Sequence, residues 1–249
     1  MASSVFDEPG FSTAVTLDEH ELAIFTAAIE RQWLDRIRVV HPEVVDTAAS
    51  VGLASYHQLA DVVDHQALWG SKAHRVLPDV DVDRLLGLPF VDRLRDELGP
   101  FRVAEPVYGE VIERGRRDIY WRIVRPNVPS DVGGLHADRW FHEVHARTNP
   151  DWSLDTRTAK VWIPIVCEPG RNGLGVVPMS HRRSWAWADD GHHTWLEDPV
   201  DPEDVLLLPT EPGTLVIFNE RLLHVGVPNR ATTTRISAEL TLLFDQPAS

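Results

Sequence analysis

The sequence predicts an α+β fold in which helices pack on the outside of a double β-sheet of the sandwich or jelly-roll type. Helical patterns occupy the first hundred of the 249 residues, and short strand patterns follow them, separated by Gly, Pro, Asn and Asp. Because helices precede strands instead of alternating with them, a parallel βαβ sheet is disfavoured. With 43% hydrophobic residues the chain can bury a large core. We expect one domain over residues 1–249, with 1–100 mostly helical and 101–249 forming the β core.

The helical half is predicted from apolar periodicity and from residues typical of helix boundaries. A helix begins near Thr16, which stands three residues before Glu19 in capping-box spacing, and Pro42 marks its end. Further helical stretches are predicted at about 44–67, 68–76 and 82–98. Pro89 interrupts the last of them. The first hundred residues are therefore expected to be mostly helical.

The second half predicts short strands rich in β-branched and aromatic residues, with turn residues between them. These segments are 120–126, 160–166, 173–178, 205–209, 213–219 and 235–244. Six or more short strands with turn signals between them are typical of a sandwich or jelly roll. The intervals 137–158 and 182–204 are too long for plain connections, so we expect functional loops there.

The charge balance of the chain narrows its partners. Lys and Arg number 24 against 38 Asp and Glu, a net charge of −14, so the chain as a whole repels phosphate backbones and anionic lipid surfaces. Nucleic acid and membranes are therefore not expected partners, and a neutral or cationic small molecule fits better. The single cysteine, Cys167, excludes an intrachain disulfide and any Cys-rich metal site. With no secretory signal and no apolar run of spanning length, a cytoplasmic location is expected.

His136 and Asp138 are separated by one residue within the β-rich half. On an extended segment, residues i and i+2 project to the same face, so an imidazole and a carboxylate can reach one point. Alone this pair is a weak signal, because such pairs also serve turns and caps. His224 follows a predicted strand, and Arg235 lies eleven residues beyond it. Two histidines and one carboxylate with open positions are typical of non-haem Fe(II) oxygenase sites, and a guanidinium suits a planar carboxylate.

Three runs around these residues are informative: RPNVPSDVGGLHAD, KVWIPIVCEPGRNGLGVVPMSH and GTLVIFNERLLHVGVPNRATTTRIS. Over about residues 118–244 they resemble the phytanoyl-CoA hydroxylase-like (PhyH) branch of the Fe(II)/2-oxoglutarate-dependent oxygenases. The resemblance implies a double-stranded β-helix core of the jelly-roll, cupin-like type. It also implies Fe(II) as cofactor, with 2-oxoglutarate and O2 as co-substrates. His136, Asp138 and His224 would be the iron ligands, and Arg235 would anchor the distal carboxylate of 2-oxoglutarate.

Further candidates for the co-substrate site follow from the same resemblance. Trp162 matches a family tryptophan on the strand that lines the pocket, and Arg125 falls where members often have Lys or Arg before Pro. Some relatives have a residue with a hydroxyl near the co-substrate at the position of Gly226. Because glycine has no hydroxyl, Lys160 is a further candidate for the donor that would replace it. Core packing for Trp162 and surface pairing for the two cations are the alternatives. The family's Pro-Gly-Ser-His turn has Met179 in place of Gly, so the backbone of that turn is not predicted.

Five tryptophans cluster in the two long intervals near the expected mouth of the site: Trp140, Trp152, Trp185, Trp187 and Trp195. They either pack the loops down or line a substrate cleft, since aromatic faces suit sugar C–H groups and attract cations. Trp140, His142 and Trp185 are the candidate substrate-binding residues, with a surface role as the alternative for His142. The segment LHADRWFHE resembles oligosaccharide-tailoring members of the branch, including the orthosomycin oxygenases.

The sequence thus predicts an oxygenase that abstracts hydrogen from a C–H bond of a small natural product, sugar-containing or amino-bearing, in secondary-metabolite biosynthesis. Hydroxylation and oxidative cyclisation are two outcomes of one hydrogen abstraction, and the sequence does not separate them. The acidic balance disfavours acyl-CoA, which carries several phosphates. The alternative is a metal-binding, cupin-like sensor or isomerase, which would keep the ligands without needing Arg235. If the protein had a purely structural role, the match of four residues to the family pattern would have to be a coincidence.

Overall fold

The computed structural model describes residues 5–105, 115–148, 156–191 and 193–244. Over these ranges the chain combines a helical N-terminal part with antiparallel sheets in the C-terminal part, in agreement with the predicted α+β class. None of the helices in the described ranges has the length and apolar character that crossing a bilayer requires.

The N-terminal part contains the helices α1 (Glu19–Val40), α2 (Val45–Val51), α3 (His65–Trp69), α4 (Asp79–Leu86) and α5 (Phe90–Leu98). Shorter 3-10 turns occupy Pro42–Val44, Leu53–Leu59 and Lys72–Arg75. The predicted stretch 44–67 is broken at Gly52, whose φ of 76° lies in the left-handed region that favours glycine. Pro89 separates α4 from α5, as predicted.

The start of α1 differs from the predicted capping box at Thr16 and Glu19. Asp18 is the N-cap: its side chain accepts from the Glu21 N–H at 2.8 Å, and the Glu21 carboxylate accepts from the Asp18 N–H at 2.9 Å. Thr16 instead forms an isolated antiparallel bridge with Thr214. The predicted cap is therefore wrong by two residues, because the backbone at Thr16 is extended and paired with the β-rich half.

The strands are β1 (Phe11–Ser12), β2 (Arg102–Val103), β3 (Tyr120–Val124), β4 (Arg157–Val166), β5 (Leu174–Val176), β6 (Trp187–Asp189), β7 (Thr194–Leu196), β8 (Leu206–Leu207), β9 (Val216–Asn219), β10 (His224–Gly226) and β11 (Arg235–Phe244). The larger sheet has the order β1-β9-β4-β11-β2, and β3 also pairs with β11. The smaller sheet has the order β10-β5-β8, while β6 and β7 form a hairpin. All six predicted strands are present. The sequence does not predict β1, β2, β6, β7 or β10, each of which has only two or three residues.

The interval 137–158, predicted as a loop, begins with helix α6 (Asp138–Thr148). This helix escapes prediction because part of its buried side is polar. Arg139 and His142 are 7% and 6% exposed, and both contact Glu220. A hydrophobic repeat of 3.6 residues is therefore obscured. The correction matters for function, because Asp138 is the first residue of α6.

One apolar cluster joins the N-terminal helices to the larger sheet. Its members include Phe25 and Trp33 of α1 and Ile163 of β4. Trp121 of β3 is fully buried and donates its Nε1–H to Gln32 Oε1 at 2.7 Å, which ties α1 to the sheet. Burial of each such side chain stabilises the fold by roughly 2–3 kcal/mol. A second, smaller cluster contains side chains of both sheets, among them Trp162, Leu174, Val216 and Phe218.

Candidate active site

The side chains of His136, Asp138 and His224 meet beside strand β10. His136 pairs with His224 in an antiparallel bridge, in which each backbone N–H donates to the other carbonyl, at 3.1 and 2.9 Å. Asp138 begins α6 two residues after His136. One potential ligand atom from each side chain lies within 4.8 Å of the other two. The structure therefore brings together the three residues that the sequence selects, and we call them the triad.

Backbone carbonyls determine which ring nitrogen each histidine of the triad offers. Nδ1 of His136 lies 2.8 Å from the Gly134 carbonyl, and Nδ1 of His224 lies 3.0 Å from the Leu222 carbonyl. Because a carbonyl only accepts, Nδ1 carries the hydrogen in both rings, and Nε2 keeps its lone pair. Each Nε2 is 3.9 Å from an oxygen of Asp138. Such outer hydrogen bonds are typical of metal-binding imidazoles.

The electrostatics of the triad favour the protonation states that metal ligands require. Burial and the neighbouring His224 lower the pKa of His136 to about 4, so its ring is neutral at pH 7. Burial opposes ionisation of Asp138, but His224 and Lys160 bring its pKa below the usual range of an aspartate. Oδ2 of Asp138 is buried without a hydrogen-bond partner in the described part of the chain. Two imidazole nitrogens and one carboxylate are a donor set that fits a divalent transition metal ion.

The triad borders a cavity of about 60 Å³ whose walls come from both sheets. Trp162 of β4 and Phe218 of β9 belong to the larger sheet, and Leu174 of β5 belongs to the smaller one. Arg235 and Glu239, both on β11, complete the described polar lining together with Arg122, Asp131 and the triad. We call this space the triad cavity. Trp162 therefore lines the cavity beside the triad, and its role toward the co-substrate stays a prediction.

Arg235 also lies in the triad cavity, as the first residue of β11, and is 2% exposed. Its Nη1 donates to the carbonyls of Gly173 at 2.7 Å and Val227 at 3.1 Å, whereas Nε has no partner in the ranges described. Burial lowers the pKa of Arg235 to about 10, which still leaves it charged at pH 7. Among the described residues no carboxylate forms an ion pair with it. A buried, unpaired guanidinium in a cavity is a site for an anion.

The departures at Gly226 and Met179 both have structural reasons. A Cβ at Gly226 would lie 2.8 Å from Nη2 of Arg235, so the guanidinium occupies the space that a larger residue would need. Met179 has a φ of 67° and keeps the left-handed backbone that glycine would favour. The next residue, Ser180, accepts from the Leu223 N–H at 2.8 Å, one residue before His224. The turn thus supports the strand that presents the distal histidine.

The other two candidate co-substrate cations do not line the triad cavity. Lys160 is buried and donates to Thr241 Oγ1 at 2.9 Å. Arg125 forms a two-point ion pair with Asp131, with Nε–Oδ2 and Nη2–Oδ1 distances of 2.9 and 2.7 Å. Only Asp131 of that pair reaches the triad cavity. Neither cation therefore lines the triad cavity, although Lys160 is close enough to lower the pKa of Asp138, and a co-substrate role for Lys160 and Arg125 stays a prediction.

The three candidate substrate residues also lie away from the triad cavity. Trp140 stacks on Trp187, with ring centroids 5.6 Å apart, and Trp185 donates Nε1–H to the Ser180 carbonyl at 2.9 Å. His142 Nδ1 is 2.8 Å from Glu220 Oε2. Trp140, Trp185 and Trp187 line a separate pocket of about 140 Å³ together with Arg139, Arg183 and Arg221. Trp140, His142 and Trp185 therefore do not line the triad cavity itself, and their role in substrate binding stays a prediction. Trp152 lies outside the described residues.

Sequence reasoning misses Glu220, which holds α6 against the chain that leads to His224. Its carboxylate contacts Arg139 at 3.1 Å and Thr158 at 2.6 Å as well as His142, and its carbonyl accepts from the Arg139 N–H at 2.9 Å. Burial opposes its ionisation, but the hydrogen bond from His142 and the neighbouring Thr158 and Arg139 lower the pKa of Glu220. The only sequence signal is a charged residue directly after an apolar strand.

Asn172 and Asn229 are a second missed pair, and they support Arg235. Both are buried, and Asn172 Nδ2 donates to Asn229 Oδ1 at 2.9 Å. Asn229 also donates to the Val124 carbonyl at 2.9 Å. This bond holds the loop that carries the Gly173 carbonyl, to which Arg235 donates. Two isolated asparagines in predicted loops carry no distinctive spacing, so the sequence does not reveal the pair.

Comparisons with known proteins identify a family and similar folds. A family model described as phytanoyl-CoA dioxygenase (PhyH) matches residues 16–237. The non-heme monooxygenase ThoJ in its apo form is 14% identical, with a TM-score of 0.59, over 97% of this chain and 76% of ThoJ. EctD from S. alaskensis, solved with 2-oxoglutarate and 5-hydroxyectoine, is 18% identical, with a TM-score of 0.54, over 96% of this chain and 74% of EctD.

EvdMO1 is a third similar structure, with 16% identity and a TM-score of 0.53, over 98% of this chain and 49% of EvdMO1. At such identities the three structures show a shared fold and no more. No curated protein sequence matches the chain. The family match, in contrast, covers most of the chain. The protein therefore belongs to the phytanoyl-CoA dioxygenase (PhyH) family and is a non-haem iron, 2-oxoglutarate-dependent dioxygenase.

Proposed function

We propose that His136, Asp138 and His224 hold the iron and that the enzyme attacks a C–H bond of a small natural product. The observation that supports this assignment most strongly is the state of the ligand atoms. In His136 and His224, Nδ1 donates to a backbone carbonyl, so the lone pair of each Nε2 is available. Asp138 Oδ2 is buried without a hydrogen-bond partner among the described residues. A divalent cation would satisfy all three groups.

Arg235 is proposed to bind the distal carboxylate of 2-oxoglutarate. Its guanidinium is oriented by two carbonyls and lacks an anionic partner in the described ranges. When bound, Fe(II) and 2-oxoglutarate supply the activation of O2 that drives attack on the substrate. Trp162 and Phe218 supply an apolar wall to the triad cavity.

A metal-binding sensor or isomerase is the second candidate function. It would use the triad but would gain nothing from a buried cation at Arg235, whose burial without a counter-ion is costly. The observation therefore favours the oxygenase. Turnover of 2-oxoglutarate to succinate that is lost in Arg235→Ala discriminates the two functions.

The substrate is proposed to be a sugar-containing or amino-bearing natural product, and the product a hydroxylated or oxidatively cyclised compound. The resemblance of LHADRWFHE to oligosaccharide-tailoring oxygenases supports the sugar. The EctD structure holds 5-hydroxyectoine, which supports a small hydroxylated product. We also propose that the two sheets form a double-stranded β-helix in one domain and that the enzyme acts in the cytoplasm.

The test is anaerobic titration of the protein with Fe(II) and 2-oxoglutarate, followed by visible absorption. The parent protein should develop a weak charge-transfer band, which Asp138→Ala should lack. His193→Ala is the matched control, because that side chain is 82% exposed. Absence of a band in the parent protein, with metal affinity unchanged in Asp138→Ala, would overturn the assignment. Mass spectrometry of candidate glycosides after incubation with the enzyme then detects a gain of one oxygen for hydroxylation or a loss of two hydrogens for oxidative cyclisation.

A further inference from the structure

A second, larger cavity adjoins the triad cavity, with a volume of about 340 Å³. It lies between α3 and β3, and its lining includes Trp69, Arg75, Arg122, Arg125 and Asp131. We call it the arginine pocket. Arg122 and Asp131 also line the triad cavity, so the two spaces share a wall. A volume above 300 Å³ is enough for a small organic ligand, whereas the triad cavity is not.

The charge of the arginine pocket is opposite to that of the chain as a whole. Three arginines and one aspartate line it, an excess of two positive charges, whereas the chain carries a net charge of −14. Even when Glu239, the partner of Arg122, is counted, one positive charge remains. A local field of this sign attracts anions to a point beside the triad.

The excess charge is located on Arg75. Arg125 is neutralised by its two-point pair with Asp131, and Arg122 Nε donates to Glu239 at 2.7 Å. Arg75 donates only to carbonyls, from Nε to Trp69 at 3.2 Å and from Nη1 to Trp121 at 3.0 Å. Throughout the described ranges, no carboxylate lies within 4 Å of its guanidinium and no protein acceptor is bonded to Nη2.

A guanidinium without a carboxylate partner costs free energy when it is withdrawn from water, and such a cost indicates that a ligand supplies the partner. Burial and the neighbouring Arg122 lower the pKa of Arg75, and Tyr120 and Glu239 oppose this only in part, so the charge is desolvated and incompletely compensated. The two carbonyl contacts hold the group in one orientation without neutralising it. A ligand anion would remove the cost, and a guanidinium donates readily to carboxylate and phosphate oxygens.

We propose that the arginine pocket binds an anionic oxygen group of the substrate, a carboxylate or a phosphate, with Arg75 as its counter-ion. The substrate then extends past Arg122 and Asp131, so that its reacting C–H bond lies at the triad. This inference rests on the proposed function, because it names the substrate class of the same site. The acidic balance of the whole chain does not govern this pocket.

The experiment is isothermal titration of the protein loaded with Fe(II) and excess 2-oxoglutarate, without O2. Three probes share one sugar ring: methyl glucuronoside, methyl glucoside 6-phosphate and neutral methyl glucoside. At least one anionic probe should bind about tenfold or more tightly than the neutral one. The tighter of the two anionic probes identifies the group. Excess 2-oxoglutarate keeps the probes from Arg235.

Two variants attribute the preference to Arg75. Arg75→Gln should abolish it, and Arg75→Lys, which keeps the charge, should retain part of it. Arg95→Gln is the matched control, because this arginine is half exposed, pairs with Asp92 on α5 and lies outside both cavities. Equal affinity for anionic and neutral probes, or an unchanged preference in a folded Arg75→Gln, would overturn the proposal. The charge-transfer band is recorded first, so failure of iron and 2-oxoglutarate loading is recognised separately as failure of the proposed function.

Discussion

The two flanks of the triad are built differently. On the α6 flank, formed by α6 and the β6–β7 hairpin, Trp140 stacks on Trp187 and His142 contacts Glu220, and a pocket of about 140 Å³ remains beside them. On the β3 flank, the arginine pocket stays open, and Arg75 has no carboxylate partner among the described residues. Proximity to a ligand motif in sequence therefore does not place a side chain in the triad cavity, because successive helical residues are rotated by about 100°.

The largest effect is expected from Asp138→Ala. Loss of a ligand should lower 2-oxoglutarate turnover by more than about 100-fold, since loss of an outer partner alone costs 10–100-fold. The control on the α6 flank is Trp187→Ala, which removes a stacking partner and should keep turnover close to that of the parent protein. Succinate formation measures both. A comparable loss of turnover in a folded Trp187→Ala would show that the α6 flank also faces the reaction.

The next effect separates Arg235 from Arg75, neither of which has a carboxylate partner among the described residues. Arg235→Gln should raise KM for 2-oxoglutarate by roughly 10–100-fold, as expected for loss of a charged hydrogen bond. Arg75→Gln should leave that KM unchanged, because the arginine pocket does not include Arg235. Uncoupled 2-oxoglutarate consumption at varied concentration supplies the measurement. A raised KM for 2-oxoglutarate in both variants would show that Arg75 and Arg235 belong to one binding site.

Glu220→Gln tests how much the buried contacts of Glu220 stabilise the α6 flank. Removal of the charge should lower the free energy of unfolding by about 2 kcal/mol. The folded state lowers the pKa of Glu220, so its contribution is present above the unfolded pKa, about 4.3, and is lost as pH falls through the folded pKa. Urea unfolding of the parent protein and of Glu220→Gln at several pH values should show that the difference between their free energies of unfolding decreases as the pH falls. A difference that stays constant down to about pH 3 would contradict this role.

The smallest effect is expected at the turn that supports His224 from outside both flanks. Met179→Gly should raise the free energy of unfolding by about 1 kcal/mol, because φ is 67° there. The matched control is Gly170→Ala, at a φ of 78° with open space around a Cβ, which should change stability in the opposite direction. Thermal unfolding of the two variants measures the pair. Loss of stability in Met179→Gly would refute the backbone explanation.

Much of the fold and part of the site can be predicted from the sequence, for reasons visible in particular residues. The six predicted strands lie in apolar segments bounded by turn residues, and His136, Asp138 and His224 are recognisable by residue type and spacing. Helix α6 cannot be predicted in this way, because Arg139 and His142 face inward where apolar residues are expected. Glu220 and Asn229 are also missed, since their roles depend on partners far away in the chain.

By itself, the sequence determined the family, the order of helices before strands, and the choice of His136, Asp138, His224 and Arg235 as one group. These conclusions depend on residue type and local spacing, which the chain carries directly. Only the tertiary structure decided which charges are neutralised and which cavities stay open. Ion pairing and burial join residues that are distant in sequence, so a net charge of −14 conceals a pocket whose unpaired group is a cation.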